Sequence, residues 1–397
     1  MTPWLDVIGI GEDGWDGLTP AARVRLGAAE VLIAGPRHHG LVPQLAAERI
    51  LWPSPFRELA EEIAAMRGRR VAVLVTGDPL WYSAGALLQR RFSPDEITYF
   101  PQLSAFQLAA VRMKWSLADV ETLTVHGRPA EQVIPFFAPG ARLLLLAQDG
   151  QTPATIGRLL SEAGFGDSRM TVLAAMGGPD ETRIEGRAVD WSGPAPDFHL
   201  LAVECAAGPD AHPLPPTGLP DDAFVHDGRI TKREVRALTL SALAPRRGQL
   251  LWDIGTGCGS VAVEWMRSGR DMRAVGIDAS GDRLAMAATN AMRLGAPRLD
   301  LRKGIAPGVL DGLPSPDAVF IGGGLSDDLV RRAMEVLPRF GRLVANAVTL
   351  EREAVLAALQ SEFGGSLTRI AISRAEAVGS YRGWKPLMPI TQWSITR

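Results

Sequence analysis

Apolar residues along the chain gather into short continuous runs, and most of these runs end in a loop carrying glycine and acidic side chains. Trp4 to Ile10, Val31 to Ala34, Val71 to Val75, Thr122 to Val125, Arg142 to Ala147, Met170 to Ala175 and Phe198 to Glu204 read as strands. A run with no polar alternation suits a strand buried on both faces, the usual state in a parallel sheet. Thr19-Pro20 marks a helix start, with threonine as N-cap and proline at the first helical position. Further helices are predicted over Glu58 to Met66 and Thr155 to Ala163. Strands and helices alternating in this way predict α/β architecture.

The pattern breaks at Gly208 to Pro220, where prolines 209, 213, 215, 216 and 220 exclude a helix or a central strand. This stretch predicts a proline-rich linker over 207–224 between a domain at 1–206 and another at 225–397. Beyond it, Thr231-Lys232-Arg233-Glu234 reads as a capping box opening a helix that Pro245 closes. Strand and helix signals then alternate: helix Ser260 to Arg267, a strand ending at Asp278, helix Asp282 to Leu294, and strands Leu299 to Arg302 and Asp317 to Ile321. Helix Asp327 to Leu337, strand Arg342 to Val348, helix Glu351 to Glu362 and strands Leu367 to Ala375 and Met388 to Ile395 complete the reading.

The stretch Leu250 to Ser260, Leu-Leu-Trp-Asp-Ile-Gly-Thr-Gly-Cys-Gly-Ser, carries the strongest chemical signal. Gly255, Gly257 and Gly259 let the backbone take positive φ, so that a ligand can lie against the main chain. Asp278 closes the next strand 23 residues after Gly255 (278 − 255), about the spacing that lets a carboxylate grip a ribose diol. A dinucleotide site would read G-x-G-x-x-G. Here the loop is G-x-G-x-G with Asp253 two residues before it, and that carboxylate would repel a diphosphate. S-adenosylmethionine, with an ammonium and a sulfonium, suits it; a nicotinamide site and a purely structural turn are the alternatives.

Other loops are less specific. Gly9-Ile10-Gly11-Glu12-Asp13-Gly14 places two acids in a turn and suits a cation, donors or tight packing better than phosphate. Thr76-Gly77-Asp78-Pro79-Leu80 stands where a parallel strand delivers groups to the ligand-binding edge of its sheet, although Gly-Asp-Pro is also an ordinary turn. Pro101-Gln102-Leu103-Ser104-Ala105 precedes an apolar helix, and His126 is either a ligand or proton carrier or a satisfied histidine at a strand end.

Composition narrows the classes. The chain has 397 residues, 46% hydrophobic and 22% charged, with a net charge of −2, which is the make-up of a soluble globular protein of more than one domain and gives no basic footprint for nucleic acid. No apolar run reaches the length of a membrane span and the amino terminus lacks the regions of a signal peptide, so a cytoplasmic protein with no membrane partner is expected. Cys205 and Cys258 fall in different domains and the histidines are scattered, which leaves no disulfide framework and no metal site.

Two resemblances together cover nearly the whole chain. Residues 225–397 resemble a class I S-adenosylmethionine-dependent methyltransferase of the precorrin decarboxylating type, in Asp227-Gly228, Thr231-Lys232, the 253–259 loop, Gly276-Ile-Asp278 and Asp317-Ala-Val-Phe-Ile-Gly-Gly-Gly324. Residues 3–206 resemble the tetrapyrrole methylase family in the Gly9 to Gly14 loop, Thr76-Gly-Asp-Pro79, Ser104 and His126-Gly-Arg128. The resemblances imply a two-lobed α/β methylase fold followed by a Rossmann-like methyltransferase domain, with one S-adenosylmethionine bound in each. Departures are visible. Glutamate replaces the family's proline in the first loop and its last two residues exchange places, so no catalytic aspartate is carried onto Asp13. Ile305 stands where class I enzymes often place an acid for the adenine amine.

In the second domain the resemblance implies Asp278 at the ribose, the 255–259 backbone with Asp253 at the methionine end, and Thr231, Thr256, Gly259 and Ala306 beside them. Gly322, Gly323 and Gly324 would allow close approach of a macrocycle. In the first domain Gly77, Asp78, Leu80, Ser104 and Ala105 would flank the second cofactor. Arg128, Lys232, Arg233 and Lys385 are candidate partners for substrate carboxylates on position alone. The implied activity is methylation of the tetrapyrrole precorrin-6B at carbons 5 and 15, with loss of the ring C acetate carboxylate, giving precorrin-8 in cobalamin biosynthesis. Carbon 5 would belong to the first domain. A homo-oligomer is expected. The rival readings are a methyltransferase acting on RNA or another small molecule, disfavoured by Ile321-Gly-Gly-Gly324 in place of Asn/Asp-Pro-Pro-aromatic, and a scaffold in which one half has lost activity.

Overall fold

The computed structural model describes residues 3–52 and 58–397, and the chain divides into two compact units, one built from Met1–Ala130 with Phe136–His212 and the other from Glu131–Pro135 with Pro213–Arg397. The first unit contains two sheets. β1 (Leu5–Ile10), β2 (Val31–Ala34), β3 (Glu48–Leu51), β4 (Val71–Thr76) and β5 (Ile97–Phe100) form an all-parallel sheet in the order β3-β2-β4-β1-β5. Its central strands are largely apolar because both faces are covered: Leu5, Val7, Val71, Val73 and Val75 pack on one side, and Ile8, Ile10, Ala72 and Leu74 on the other, with buried Asp6 paired to Arg25 at 2.8 Å. The second sheet of this unit, β6 (Glu121–Thr124), β7 (Arg142–Leu146), β8 (Arg169–Ala174), β9 (Thr182–Arg187) and β10 (His199–Glu204), is mixed, in the order β6-β7-β10-β8-β9.

The second unit is built on a seven-stranded sheet. β11 (Leu250–Ile254), β12 (Arg273–Asp278), β13 (Asp300–Lys303), β14 (Ala318–Ile321) and β15 (Arg342–Ala347) run parallel, while β16 (Ser366–Ile370) and β19 (Ile390–Thr396) complete the order β13-β12-β11-β14-β15-β19-β16 with β19 antiparallel to both neighbours. The order reverses between β11 and β14, which opens a crevice at the carboxyl ends of those strands. Alternate residues fill opposite layers: Trp252, Val319, Ile321, Leu343 and Trp393 on one face, and Leu251, Ala318, Phe320 and Val344 with Leu240, Val261 and Trp265 on the other.

The α/β expectation holds, with three differences in detail. The predicted single strand over Leu367 to Ala375 is β16 followed by a separate hairpin, β17 (Ser373–Val378) and β18 (Tyr381–Pro386), joined by Gly379 and Ser380, with Gly379 at φ +60°. The predicted capping box is not formed. Helix Arg233–Leu243 has Lys232 at its N-cap with no side-chain cap, so Thr231 stands one residue before the capping position, where its carbonyl accepts from Arg236 Nη1 at 2.6 Å, and the Glu234 carboxylate is paired with Arg374 at 2.6 Å. The proline-rich stretch is also not a free tether from Pro213 onward. Glu264, fully buried, accepts from the amides of Gly218 at 2.6 Å and Leu219 at 2.9 Å and pairs with buried Arg236 at 2.6 Å, while Arg267 donates to the Pro215 carbonyl at 2.9 Å. No helix among the described residues is long and apolar enough to cross a membrane, and no group of metal-ligating side chains is present among them.

Candidate functional site

The second unit holds a cavity of about 790 Å³ over the crevice between β11 and β14. Gly255 and Gly257 line it from the turn after β11, Asp278 from the end of β12, Ala306 from the turn after β13, and Gly322, Gly323 and Gly324 from the turn after β14. The turn glycines differ in function. Gly255 has φ +72°, and a Cβ there would meet the Gly323 backbone at 2.6 Å, so this glycine lets two loops touch. Gly257, at φ +56°, has only the Arg229 carbonyl within reach of a Cβ, at 3.9 Å. A side chain at Gly257 would therefore occupy the space that a ligand would use. The Asp278 carboxylate, at the lip of the crevice, accepts from the amides of Gly257 at 3.0 Å and Ser280 at 2.9 Å, which fix its orientation.

These features fit S-adenosylmethionine: a main-chain cradle at Gly255–Gly257, a positioned carboxylate one strand away, and room beside both. Thr231 and Lys232 also line the cavity, whereas Thr256 and Gly259 do not. Asp253 lies beneath the turn with 1% of its surface exposed. Its Oδ2 accepts from the Thr256 hydroxyl at 2.7 Å and the Ala262 amide at 3.1 Å, and its Oδ1 is buried without a partner. Burial pushes its carboxyl up to about 6 despite those two hydrogen bonds. Arg229, Arg283 and Arg352 join Lys232 around the cavity against the single carboxylate of Asp278, and Arg283 is bound to Asp227 at 3.2 Å. Ile305 lines the cavity where an acid was sought, and offers the adenine side an apolar surface and a backbone.

In the first unit the turns after β1, β4 and β5 meet at one edge of the parallel sheet. A Cβ at Gly9 would strike the Gly77 carbonyl at 1.9 Å, and one at Gly77, which has φ +60°, would lie 2.9 Å from Ser104 Cα. The side chains here are spent locally. Asp78 Oδ1 accepts from the Leu80 amide at 2.8 Å, and Ser104 forms a capping box with Gln107 at the start of helix Ala105–Met113. What remains for a ligand is backbone and an apolar rim of Leu80, Trp81, Tyr82 and Leu103, all at least 39% exposed. Arg128 stands 5.6 Å from the Tyr82 ring centre, whereas His126 is exposed. Lys385 is paired with Glu376 at 2.9 Å on the hairpin and Arg233 is exposed, and neither lines the cavity of the second unit.

Comparison with known proteins covers both units. Residues 5–190 match the family model of tetrapyrrole (corrin/porphyrin) methylases, and residues 222–397 match that of the precorrin methyltransferase domain. A Sinorhizobium protein named precorrin-6Y C(5,15)-methyltransferase [decarboxylating] is 48% identical over 403 residues, covering 100% of this chain and 97% of the relative. A Mycobacterium tuberculosis protein of the same name is 39% identical, covering 98% of this chain and 99% of its own. The chain belongs to the family of decarboxylating precorrin-6Y C(5,15)-methyltransferases. The carboxyl-terminal domain of the Rhodobacter capsulatus member, known as a crystal structure, is 51% identical over 46% of this chain and 98% of that one, with a TM-score of 0.44. The expected fold, a two-lobed methylase followed by a class I methyltransferase domain, accords with membership of this family.

One cluster in the first unit escaped sequence reasoning. Glu12 is ion-paired with Arg37, which donates to Thr76 Oγ1 at 2.6 Å and shares His38 Nε2 with that hydroxyl at 3.0 and 2.9 Å. The Arg37 guanidinium also lies 3.9 Å from the Phe198 ring centre. Burial, with Arg37 beside it, holds the His38 imidazole down at about 4, so the ring is neutral at physiological pH. The only sequence signal was a Gly-Pro-Arg-His-His run after β2, which at sequence level is an ordinary helix start.

Proposed function

We propose that each unit holds one S-adenosylmethionine, and that residues 1–206 direct methyl transfer to carbon 5 of precorrin-6B (precorrin-6Y) while residues 225–397 direct transfer to carbon 15 and the loss of carbon dioxide. The chain is an S-adenosylmethionine-dependent precorrin methyltransferase that also decarboxylates its substrate in cobalamin biosynthesis. In the second unit the backbone of Gly255–Gly257 and the Asp278 carboxylate hold the cofactor, with Thr231 and Ala306 beside it. Asp253 contributes its field from beneath the turn rather than a contact. In the first unit the backbone at Gly77–Leu80 and at Ser104–Ala105 does the holding. When bound, the cofactor supplies a methyl group already activated by its sulfonium.

The observation that carries this reading is the continuity of the cavity from Asp278, past the open face of Gly257, to the three glycines after β14. Gly322–Gly324 present no side chain to a large flat ring, and Lys232 and Arg352 form no ion pair among the described residues and can meet its carboxylates. The protein's task is to align a carbon nucleophile with the methyl group and to exclude water, which contributes about 7–11 kcal/mol in well-oriented systems. No titratable side chain is required in the transfer itself.

The test is product mass from full-length protein. Asp278→Ala should give a product with one added methyl and its carboxylates intact, and Gly77→Ala one with a single added methyl and one carbon dioxide lost. Carbon dioxide loss that survives in Asp278→Ala and disappears in Gly77→Ala would overturn the division of labour.

A further inference from the structure

Three polar side chains from three elements meet beside the cavity of the second unit. Asn346 on β15 lines the cavity and is the register partner of Gln392 on β19. Gln392 Nε2 donates to Asn346 Oδ1 at 3.0 Å and to Thr239 Oγ1 at 3.1 Å, and Asn346 Nδ2 donates to the same hydroxyl at 3.1 Å. Thr239, from helix Arg233–Leu243, is fully buried and Gln392 is 6% exposed. Buried polar groups of this kind cost free energy unless fully bonded, and apolar residues would fill the same space without that cost. What the arrangement adds is orientation: the Asn346 amide cannot turn, and one amide hydrogen and one lone pair are left uncommitted.

Its place in the sheet says what it faces. The cofactor cradle belongs to β11 and β12, whereas β15 lies two strands from β11 on the opposite side, about 10 Å across the sheet. This end of the cavity is walled mainly by Val348, Ile370, Ile372, Leu387, Met388 and Ile390, with Thr349 and Arg352 from the segment that follows β15. A rigid neutral amide is set beside an apolar wall, on the side away from the cofactor.

We infer that Asn346 binds the carboxylate of the acetate arm that is lost, with Gln392 and Thr239 as its positioning residues. In that step the bond between the methylene and the carboxylate carbon breaks, its electron pair passes into the conjugated macrocycle protonated at an imine nitrogen, and carbon dioxide leaves. The methylene then takes a proton from solvent to become a methyl group. A carboxylate about to leave as a neutral molecule must be oriented without being stabilised. A cation in place of the amide would add Coulombic attraction to the hydrogen bond and hold the ground state back. An amide among aliphatic side chains orients the group and leaves it poorly solvated. The assignment rests on the reading that the second unit releases carbon dioxide.

The experiment uses full-length protein, precorrin-6B and labelled methyl donor, and reads carbon dioxide released per methyl transferred together with donor affinity. Asn346→Ala should lower that ratio about ten- to a hundredfold, the loss expected for one hydrogen bond to a carboxylate. Asn346→Asp, which keeps the shape, still accepts from Gln392 and can accept from the Thr239 hydroxyl in place of donating to it, should lower it further because carboxylate would face carboxylate. Gln392→Leu should fall between wild type and Asn346→Ala, and donor affinity should stay within about twofold in all three. An unchanged ratio in both Asn346 variants, or Asp no worse than Ala, would overturn the assignment. Asp278→Ala separates the two layers. If it still releases carbon dioxide the underlying reading fails, and if it does not while the Asn346 variants keep the wild-type ratio, only the role of Asn346 fails.

Discussion

Replacing Asp253 by asparagine should stabilise the second unit above pH 6 and weaken its hold on the methyl donor. The carboxylate is 1% exposed and its Oδ1 has no partner, so the folded chain prefers it protonated, with a pKa of about 6 against an ordinary 3.8. Between those values the folded state keeps a proton that the unfolded state has released. Stability therefore falls as pH rises through this window and is level above it. Two units at 1.36 kcal/mol each set the loss at about 3 kcal/mol. Asparagine keeps an oxygen for the Thr256 hydroxyl and the Ala262 amide and carries no charge. In paired calorimetric scans the variant should melt with wild type near pH 4 and about 6–12 °C above it beyond pH 6.5, for a unit of this size. A difference that does not change with pH would refute the reasoning. If the charge is kept for the cationic donor, the same variant should bind S-adenosylmethionine about tenfold more weakly, equivalent to about 1.4 kcal/mol.

Other perturbations separate packing from binding. Gly257→Ala should abolish donor binding in the second unit and cost about 1–2 kcal/mol of stability for an alanine held at positive φ, since the added Cβ meets nothing closer than 3.9 Å, whereas Gly255→Ala should destabilise more strongly because its Cβ would also press on the Gly323 backbone at 2.6 Å; calorimetry and thermal scans read both. Glu264→Ala should cost about 3–5 kcal/mol in urea unfolding, because the buried Arg236 guanidinium loses its shorter ion pair and keeps Asp221 at 3.2 Å, while the Gly218 and Leu219 amides lose their acceptor. In the first unit, His38 has a folded pKa of about 4 against 6.5 unfolded, so its contribution is present above pH 6.5 and is lost as pH falls toward 4. His38→Gln should flatten that acid limb by about 3 kcal/mol, opposite in sign to the effect at Asp253.

The parts of the fold open to sequence reading were those whose surroundings force one solution. β1 and β4 are covered on both faces and so are mostly apolar, and the glycines after β11 sit at φ values that favour glycine. β3, β5 and β9 lie at sheet edges, and β9, Thr-Arg-Ile-Glu-Gly-Arg, is exposed at nearly every position; edge strands need no apolar run, and none was predicted there. The hairpin of β17 and β18 escaped for the same reason, although Gly379-Ser380 carried a two-residue turn signal. At the site, Asp278, Gly257 and the glycines after β14 were legible because strand ends and spacing place them. The burial of Asp253, the release of Thr231 from capping and the trio of Thr239, Asn346 and Gln392 depend on side chains more than a hundred positions apart in the chain or on which way a carboxylate turns, and no local pattern encodes either.

The central claim is that one chain carries two separate cradles for the same donor. Titration calorimetry of full-length protein with S-adenosylmethionine tests it most directly: two sites per chain, reduced to one by Asp278→Ala and to the other by Gly77→Ala. A single site in the wild-type chain, or loss of both sites on changing either residue, would contradict the account.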